Sequence, residues 1–189
     1  MDIQIDRGPF EAALEGIPLH GLACFILEKQ GVPPDAELSV SFVTDEAMAD
    51  LNGRFRGKEG PTDVLAFECD GSEDKVFATG GVSLGQEGEA WPPDGLEDQP
   101  PQPVAGDDPL PAPAFLLGDV VIAPDVAQRQ SLEYGTSLEE ELSLLLVHGI
   151  LHLCGYDHQE DEEAEAMEAR ESCLLDAWEA IRKPGESHG

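Results

Sequence analysis

The stretch HGILHLCGYDH, residues 148 to 158, constrains the fold more than any other part of the chain. It places three histidines in the pattern His-x3-His-x5-His, with Gly155 inside the second gap. A helix presents His148 and His152 on one face, about one turn apart. Gly155 is a natural helix end and lets the chain reverse, which carries His158 back towards the same point. The spacing therefore predicts a helix whose return turn completes a three-histidine cluster.

Three neutral imidazoles on a helix and its return turn suit zinc. Structural zinc sites usually take four protein ligands, mostly cysteine, whereas three histidines leave a position for water, as catalytic sites do. Zinc lowers the pKa of such a water to about 7. We therefore predict one Zn²⁺ per chain, held by His148, His152 and His158. Cys154 lies around the helix from the ligand face and is not predicted to bind the metal.

Gly149 separates this histidine pattern from that of zinc peptidases. The peptidase motif H-E-x-x-H-x-x-G-x-x-H has a glutamate after the first histidine, which takes a proton from water and passes it to the leaving amine. Glycine cannot do this, so ordinary peptidase chemistry is disfavoured. Phosphodiester cleavage instead needs a guanidinium near the metal, because its transition state gathers negative charge on phosphoryl oxygens. The stretch RFRGK, residues 54 to 58, offers that guanidinium.

The periodicity of apolar residues predicts an α+β fold, a small mixed sheet packed by about five helices. Strands are predicted at 2–6, 37–44, 62–67 and 116–123, the last with a bulge at Gly118-Asp119. Helices are predicted at 9–30, from an N-cap at Asp45 to Phe55, at 124–134, from Ser137 to Gly155 and at about 160–183. The acidic face of the last helix is interpreted as plain solvated surface.

Residues 68 to 114 differ from the rest of the chain in composition. They are acidic and rich in glycine, and eight of the fifteen prolines lie between Pro92 and Pro113. Such a segment cannot bury enough apolar surface to offset its ordering entropy. We therefore predict one domain over residues 1–189, interrupted by a disordered surface insertion at about 68–114. A lid docked through Trp91 is the alternative.

Charge and cysteine content restrict the binding partners and the cellular compartment that the sequence favours. The formal net charge of −30 repels nucleic acids and anionic membranes at long range, and taken alone it argues against an RNA partner. We expect neither a DNA nor a membrane partner. Against this background the basic cluster of Arg54, Arg56 and Lys58 is notable. The start of the chain does not read as a signal peptide, no apolar run is long enough to span a bilayer, and the four cysteines form no CxxC pair. These features favour the cytoplasm.

The sequence closely resembles the YbeY family of bacterial endoribonucleases, which mature ribosomal RNA. The histidine stretch resembles the family's signature, LNGRFRGKEGPTDVLAF at 51–67 resembles a second family segment, and LLGDVVIAP at 116–124 resembles a third. The resemblance covers almost the whole chain except 68–114, and three motifs in the right order make it specific. The insertion is much longer than the family's usual connection.

The resemblance implies a zincin-like α+β fold with the zinc site on a central helix and its return turn. It implies zinc on the histidines matching His148, His152 and His158, and a functionally important arginine at Arg56. The implied substrate is single-stranded RNA, especially the 3′ end of small-subunit ribosomal RNA, with a role in ribosome quality control. The implied partners are the small ribosomal subunit and its assembly factors.

The leading hypothesis is thus a zinc-dependent endoribonuclease in which Arg56 steadies the phosphate and Lys58 assists in substrate binding. Asp157 is a candidate catalytic residue that orients a histidine or accepts a proton, and a turn residue stabilising GYDH is its alternative role. A metallopeptidase is the second hypothesis, with Gly149 against it. The third is a non-catalytic ribosome-assembly protein whose zinc only holds the helix to its return turn.

Overall fold

The computed structural model describes residues 1–69, 115–156 and 160–182. The strands in these ranges are β1 (Asp2–Asp6), β2 (Ala36–Phe42), β3 (Val64–Glu68) and β4 (Phe115–Ile122). The α-helices are α1 (Leu19–Lys29), α2 (Asp45–Arg56), α3 (Pro124–Tyr134), α4 (Leu138–Leu153) and α5 (Asp161–Arg182). The α+β class, with a small mixed sheet and five helices in the described ranges, is confirmed.

The four strands form one sheet in the order β1-β2-β4-β3. β1, β2 and β4 run parallel, and β3 pairs antiparallel with β4 at the edge of the sheet. The pairing of β4 with β2 shifts register between Leu116 and Gly118, which leaves Leu117 as the extra residue of a bulge. The bulge predicted at Gly118-Asp119 is therefore present but lies one residue earlier, at Leu117. Among the residues that the structure describes, no further strand pairs with the outer edge of β3.

Helix α4 lies at the centre of the fold and contacts β3, β4, α1, α3 and α5. Its apolar side chains, including Leu142, Leu146, Val147 and Ile150, are fully buried. A helix that is apolar on most of its circumference must be covered on most sides. Any side chain that α4 presents to a cleft is consequently held on a firmly packed element.

Both ends of α4 agree with the sequence prediction. The Ser137 hydroxyl accepts a hydrogen bond from the Glu140 backbone N–H, and the Glu140 carboxylate accepts one from the Ser137 backbone N–H, at 3.2 Å and 2.8 Å. This capping box satisfies N–H groups that a helix start leaves unpaired. At the other end Gly155 adopts a left-handed φ of 90°, which reverses the chain.

Two predicted helix starts are wrong. The helix expected over 9–30 begins only at Leu19, after a short 3₁₀ turn at Gly8–Phe10. Gly16 has a left-handed φ of 84°, and Pro18 has no N–H to give to a helix, so the chain turns there before α1 starts. The N-cap of α2 is Thr44 rather than Asp45, since the Thr44 hydroxyl accepts a hydrogen bond from the Ala47 backbone N–H at 3.4 Å.

The predicted insertion lies almost wholly outside the described residues, as does Trp91. Its ends are described: β3 ends at Glu68 and β4 begins at Phe115. These strands are antiparallel neighbours, with Glu68 paired to Gly118. The segment 68–114 thus connects the two strands of a hairpin, and its disorder stays a prediction. No helix within the described ranges has both the length and the apolar character that crossing a membrane requires.

Candidate active site

His148 and His152 meet at one point on α4. Their Nε2 atoms are 3.1 Å apart and their ring centroids 4.6 Å apart, with the rings nearly perpendicular. Both side chains are partly buried. The spacing of four residues on one helix face produces this approach, as the sequence predicts.

The opposite nitrogen of each ring is fixed by an acceptor. The Nδ1 atom of His148 lies 2.7 Å from Oε1 of Glu171 on α5. The Nδ1 atom of His152 lies 2.9 Å from the backbone oxygen of Tyr156, just past the end of α4. A carboxylate and a carbonyl only accept hydrogen bonds, so each Nδ1 donates. In the neutral imidazole this leaves the lone pair on Nε2, the nitrogen that faces the other histidine.

The two described histidines are placed as two ligands of one metal ion would be. Two Nε2 lone pairs that face each other at 3.1 Å repel unless a proton or a metal ion lies between them. Zinc–nitrogen bonds of about 2.0–2.1 Å at a tetrahedral angle separate two nitrogen ligands by about 3.3 Å, close to the observed distance. Hydrogen bonds from ligating histidines to a carboxylate or a carbonyl are the usual support of zinc sites.

The remaining predicted members of the site lie outside the described residues. His158, the third predicted ligand, and Asp157, the candidate orienting or proton-accepting residue, both belong to the gap at 157–159. Within the ranges that the structure describes, no group of three or more histidine, cysteine, aspartate or glutamate residues could hold a metal. The third ligand therefore stays a prediction.

A cleft of about 170 Å³ opens in front of the two histidines. It lies between α4, strand β3 and the C-terminal end of α2. Its lining residues are Arg56, Thr62, Asp63, Val64, Ala66, His148, Gly149 and His152. The structure thus brings Arg56 together with both histidines, from a part of the sequence about 90 residues away.

Arg54 and Lys58 do not line this cleft. Arg54 is exposed and pairs with Asp50, one turn earlier on α2, at 3.3 Å. Lys58 is exposed in the loop after α2, where its backbone N–H donates to the Asn52 carbonyl. The predicted assistance of Lys58 in substrate binding stays a prediction, and the two arginines lie apart as their helical spacing implies.

A side chain of α2 binds the loop that follows Arg56 and holds it in place. Gly57 takes a left-handed φ of 65° and ends the helix. The Asn52 side-chain amide, on a buried residue, donates to the Gly60 carbonyl at 2.8 Å. These contacts fix where α2 ends and hence where the Arg56 side chain begins, at the mouth of the cleft.

Asp63 brings a carboxylate to the cleft wall. Its burial raises the pKa, but hydrogen bonds from the Gln130 side chain, the Val64 backbone N–H and the Thr62 hydroxyl outweigh burial and leave the pKa below its usual range. Asp63 is therefore ionised at neutral pH. The bond to Gln130, 3.0 Å long, joins the start of β3 to α3 and holds that wall in place.

The structure gives a physical reason for glycine at position 149. A Cβ atom added there would lie 2.6 Å from Cγ1 of Val120 and 3.4 Å from Cγ2 of Val64. Val120 is fully buried, and its branched side chain has little freedom to move. Position 149 thus allows α4 to approach the sheet closely, and the glutamate of zinc peptidases has no room there.

We expect Gly149→Ala to lower the free energy of unfolding. Overpacking costs about 1–3 kcal/mol, against a gain of up to about 1 kcal/mol in helix propensity. The matched control is Gly53→Ala on α2, where an added Cβ meets nothing nearer than the Lys58 carbonyl at 3.8 Å. Gly53→Ala should stabilise the protein or leave it unchanged. Denaturant unfolding measures both, and equal shifts for the two variants would contradict this account of Gly149.

Sequence reasoning missed Glu171. Glu171 is buried and contacts His148, and it lies on the apolar side of α5 rather than on the acidic face that is interpreted as solvated surface. The signal was present in the sequence: Met167, Glu171, Leu174 and Trp178 follow one another at helical spacing. A glutamate within an apolar stripe has to be paired with a donor.

Comparison with known proteins gives consistent matches. A family model described as endoribonuclease YbeY matches residues 18–179. An endoribonuclease YbeY of Frankia alni is 41% identical over 170 residues, covering 90% of this chain and 78% of that protein. Another from a Parafrankia species is 40% identical and covers 90% of each chain. In fold, the solution structure of TM1509 from Thermotoga maritima matches with a TM-score of 0.50 and 23% identity, covering 99% of this chain and 98% of that one.

Proposed function

The chain belongs to the YbeY family of endoribonucleases, and on that premise we propose that the cleft between α2 and α4 is a zinc-dependent, single-strand-specific ribonuclease centre. Family membership makes the protein a hydrolase of RNA phosphodiester bonds. The observation that supports zinc is the pair of Nε2 atoms 3.1 Å apart, each opposite an Nδ1 bonded to an acceptor. The proposed ligands are His148, His152 and His158.

Bound zinc would supply a Lewis acid and a water of lowered pKa next to the phosphate. The chain's own residues supply the rest. Glu171 and the Tyr156 carbonyl keep the protons of both imidazoles on Nδ1, so that Nε2 stays available. Arg56 binds the phosphoryl oxygens on which negative charge develops. Asp157 is proposed to orient a histidine or to accept a proton.

The proposed biological substrate is ribosomal RNA, with processing of the small-subunit 3′ end and ribosome quality control as the roles. The proposed partners are the small ribosomal subunit and its assembly factors, in the cytoplasm. The charge of the chain supports a substrate that the ribosome presents to the enzyme. At −30 the chain repels free RNA at long range, whereas Arg54, Arg56 and Lys58 attract RNA locally.

A peptidase is disfavoured by the packing of α4 against the sheet. A glutamate at position 149 would have to displace Val120, whose Cγ1 lies 2.6 Å from the Cβ position. Asp63 is the one carboxylate among the described residues that line the cleft. Its oxygens already accept hydrogen bonds from three donors. The cleft residues that the structure describes thus lack the peptidase glutamate and contain the guanidinium that phosphoryl chemistry needs.

The test compares two substrates with one preparation. Purified, zinc-loaded protein is incubated with single-stranded RNA and with casein, with and without a chelator. We expect cleavage of the RNA alone, loss of that cleavage with chelator and its return on adding zinc. The matching duplex RNA should be cut far more slowly. Casein cleavage would support a peptidase, and RNA cleavage that survives complete zinc removal would contradict the proposed metal centre.

A further inference from the structure

We propose that the exposed ring of Phe55 is a platform on which one base of a single-stranded RNA stacks while Arg56 holds a neighbouring phosphate. This inference rests on the proposed function and adds a nucleobase-binding position to it. Phe55 is the penultimate residue of α2, directly before Arg56. The two side chains leave the same helix end in different directions, about 100° apart around the axis.

The Phe55 ring is exposed and yet held in place. It is 60% exposed. It contacts Phe67 of β3 edge-to-face, with centroids 4.9 Å apart, and the Arg54 guanidinium carbon lies 5.7 Å from its centroid. An aromatic ring that its neighbours orient but do not cover can bind a base at low cost in conformational entropy.

The position of Phe55 relative to the cleft follows from β3. Val64 and Ala66 of this edge strand line the cleft on the α4 side of the sheet. Phe67 packs on the other face, with the buried cluster that includes Leu65 and Met48. An RNA strand that passes the outer edge of β3 can therefore contact Arg56 and the cleft on one face of the sheet and Phe55 on the other.

The charge around Phe55 matches RNA. Residues 50–60 contain three basic and two acidic residues, of which Asp50 pairs with Arg54, in a chain with 40 acidic and 10 basic residues. Stacking on an aromatic ring tolerates any base, because every base has a π-face, and adjacent cations bind the phosphates. A base within a duplex is stacked and paired and cannot reach such a ring. The platform therefore gives a physical basis for a single-strand preference.

Tyr134 provides a matched control. It is an aromatic residue near the end of α3, is 69% exposed and follows Glu133 rather than a cation. If exposure of an aromatic ring were enough to bind RNA, Tyr134 and Phe55 would contribute equally. If the combination with the basic cluster matters, only Phe55 contributes.

The probe is a 2′-O-methyl oligoribonucleotide that carries 2-aminopurine, whose fluorescence falls when the base stacks. Gel analysis checks that it stays intact. We expect wild-type protein to bind it and quench it. Phe55→Ala should weaken binding about five- to a hundredfold and lose the quenching, as stacking energies of single bases imply. Phe55→Trp should keep both, Phe55→Leu should lose the quenching, and Tyr134→Ala should equal wild type.

Each contrary result has a distinct meaning. Equal binding and quenching in Phe55→Ala and wild type, with Arg56→Ala still impaired in cleavage, would overturn the platform alone. Full rescue by Phe55→Leu would show apolar packing instead of stacking and also overturn it. Wild-type protein that binds no single-stranded RNA would overturn the platform together with the proposed substrate. Circular dichroism and thermal unfolding confirm that the variants compared are folded.

Discussion

Replacing His152 with alanine is expected to remove zinc from the protein and to abolish RNA cleavage. The variant loses one of the two described nitrogens, 3.1 Å apart, between which the metal is proposed to lie. Loss of a hydrogen-bonding partner behind a ligand already lowers metal affinity about 10–100-fold, so loss of a ligand should cost at least about a hundredfold. Metal content by mass spectrometry, after dialysis against a weak chelator, measures the effect.

Two further variants make this result specific. His20→Ala removes an exposed histidine that lies on α1, beside Cys24 and outside the cleft, and should keep its zinc. Glu171→Gln should lower zinc affinity by a smaller factor than His152→Ala, because it weakens the bond to His148 Nδ1 but keeps all ligands. Undiminished zinc in His152→Ala would refute the ligand assignment. Normal affinity in Glu171→Gln would show that Glu171 only fills space.

Short-range signals account for the parts of the fold that the sequence predicts well. The capping box at Ser137, the turn at Gly57 and the reversal at Gly155 are local geometries that depend on a few neighbouring residues. The approach of His148 to His152 is local in the same sense, since a helix alone produces it. At the start of α1 the helical spacing of apolar residues outweighed the local signals of Gly16 and Pro18, and the predicted boundary at residue 9 is wrong because the helix begins at Leu19.

The missed features depend on contacts between distant segments. Glu171 reaches His148 across 23 residues, and Gln130 reaches Asp63 across 67. Neither pairing follows from periodicity, because a hydrophobic pattern shows which face of a helix is buried but not which other element packs against that face. The role of Gly149 is similar: its sequence context shows that a glutamate is missing, but only the distance to Val120 shows why.

The cleft itself depends on the position of β3 in the sheet. The sequence predicts a strand at 62–67 but not its place at the edge, next to β4 and beneath α4. That place brings Arg56 to the histidines, since α2 ends shortly before β3 begins. The resemblance to a known family singles out Arg56, and in the structure Arg56 lines the same cleft as the two histidines.

Arg56→Ala is expected to lower RNA cleavage about ten- to a hundredfold or more while zinc content and folding stay unchanged. A bidentate arginine contact to a phosphoryl group contributes about 1.5–3 kcal/mol net, which corresponds to that range of rates. The side chain is exposed at the cleft mouth, so its removal should cost little stability. Cleavage rates for single-stranded RNA, measured on protein with verified zinc content, give the effect.

The pattern of kinetic loss distinguishes chemistry from general attraction. Because Arg56 is proposed to meet charge that develops in the transition state, its removal should lower kcat and kcat/KM together. Arg56→Lys should recover only part of the rate, since lysine keeps the charge but cannot form the planar two-point contact. Arg54, exposed and paired with Asp50 outside the cleft, should affect KM at most when replaced by alanine. An equal fall of kcat in Arg54→Ala, or a wild-type kcat in Arg56→Ala, would show that the guanidinium in the cleft does not act on the reacting phosphate.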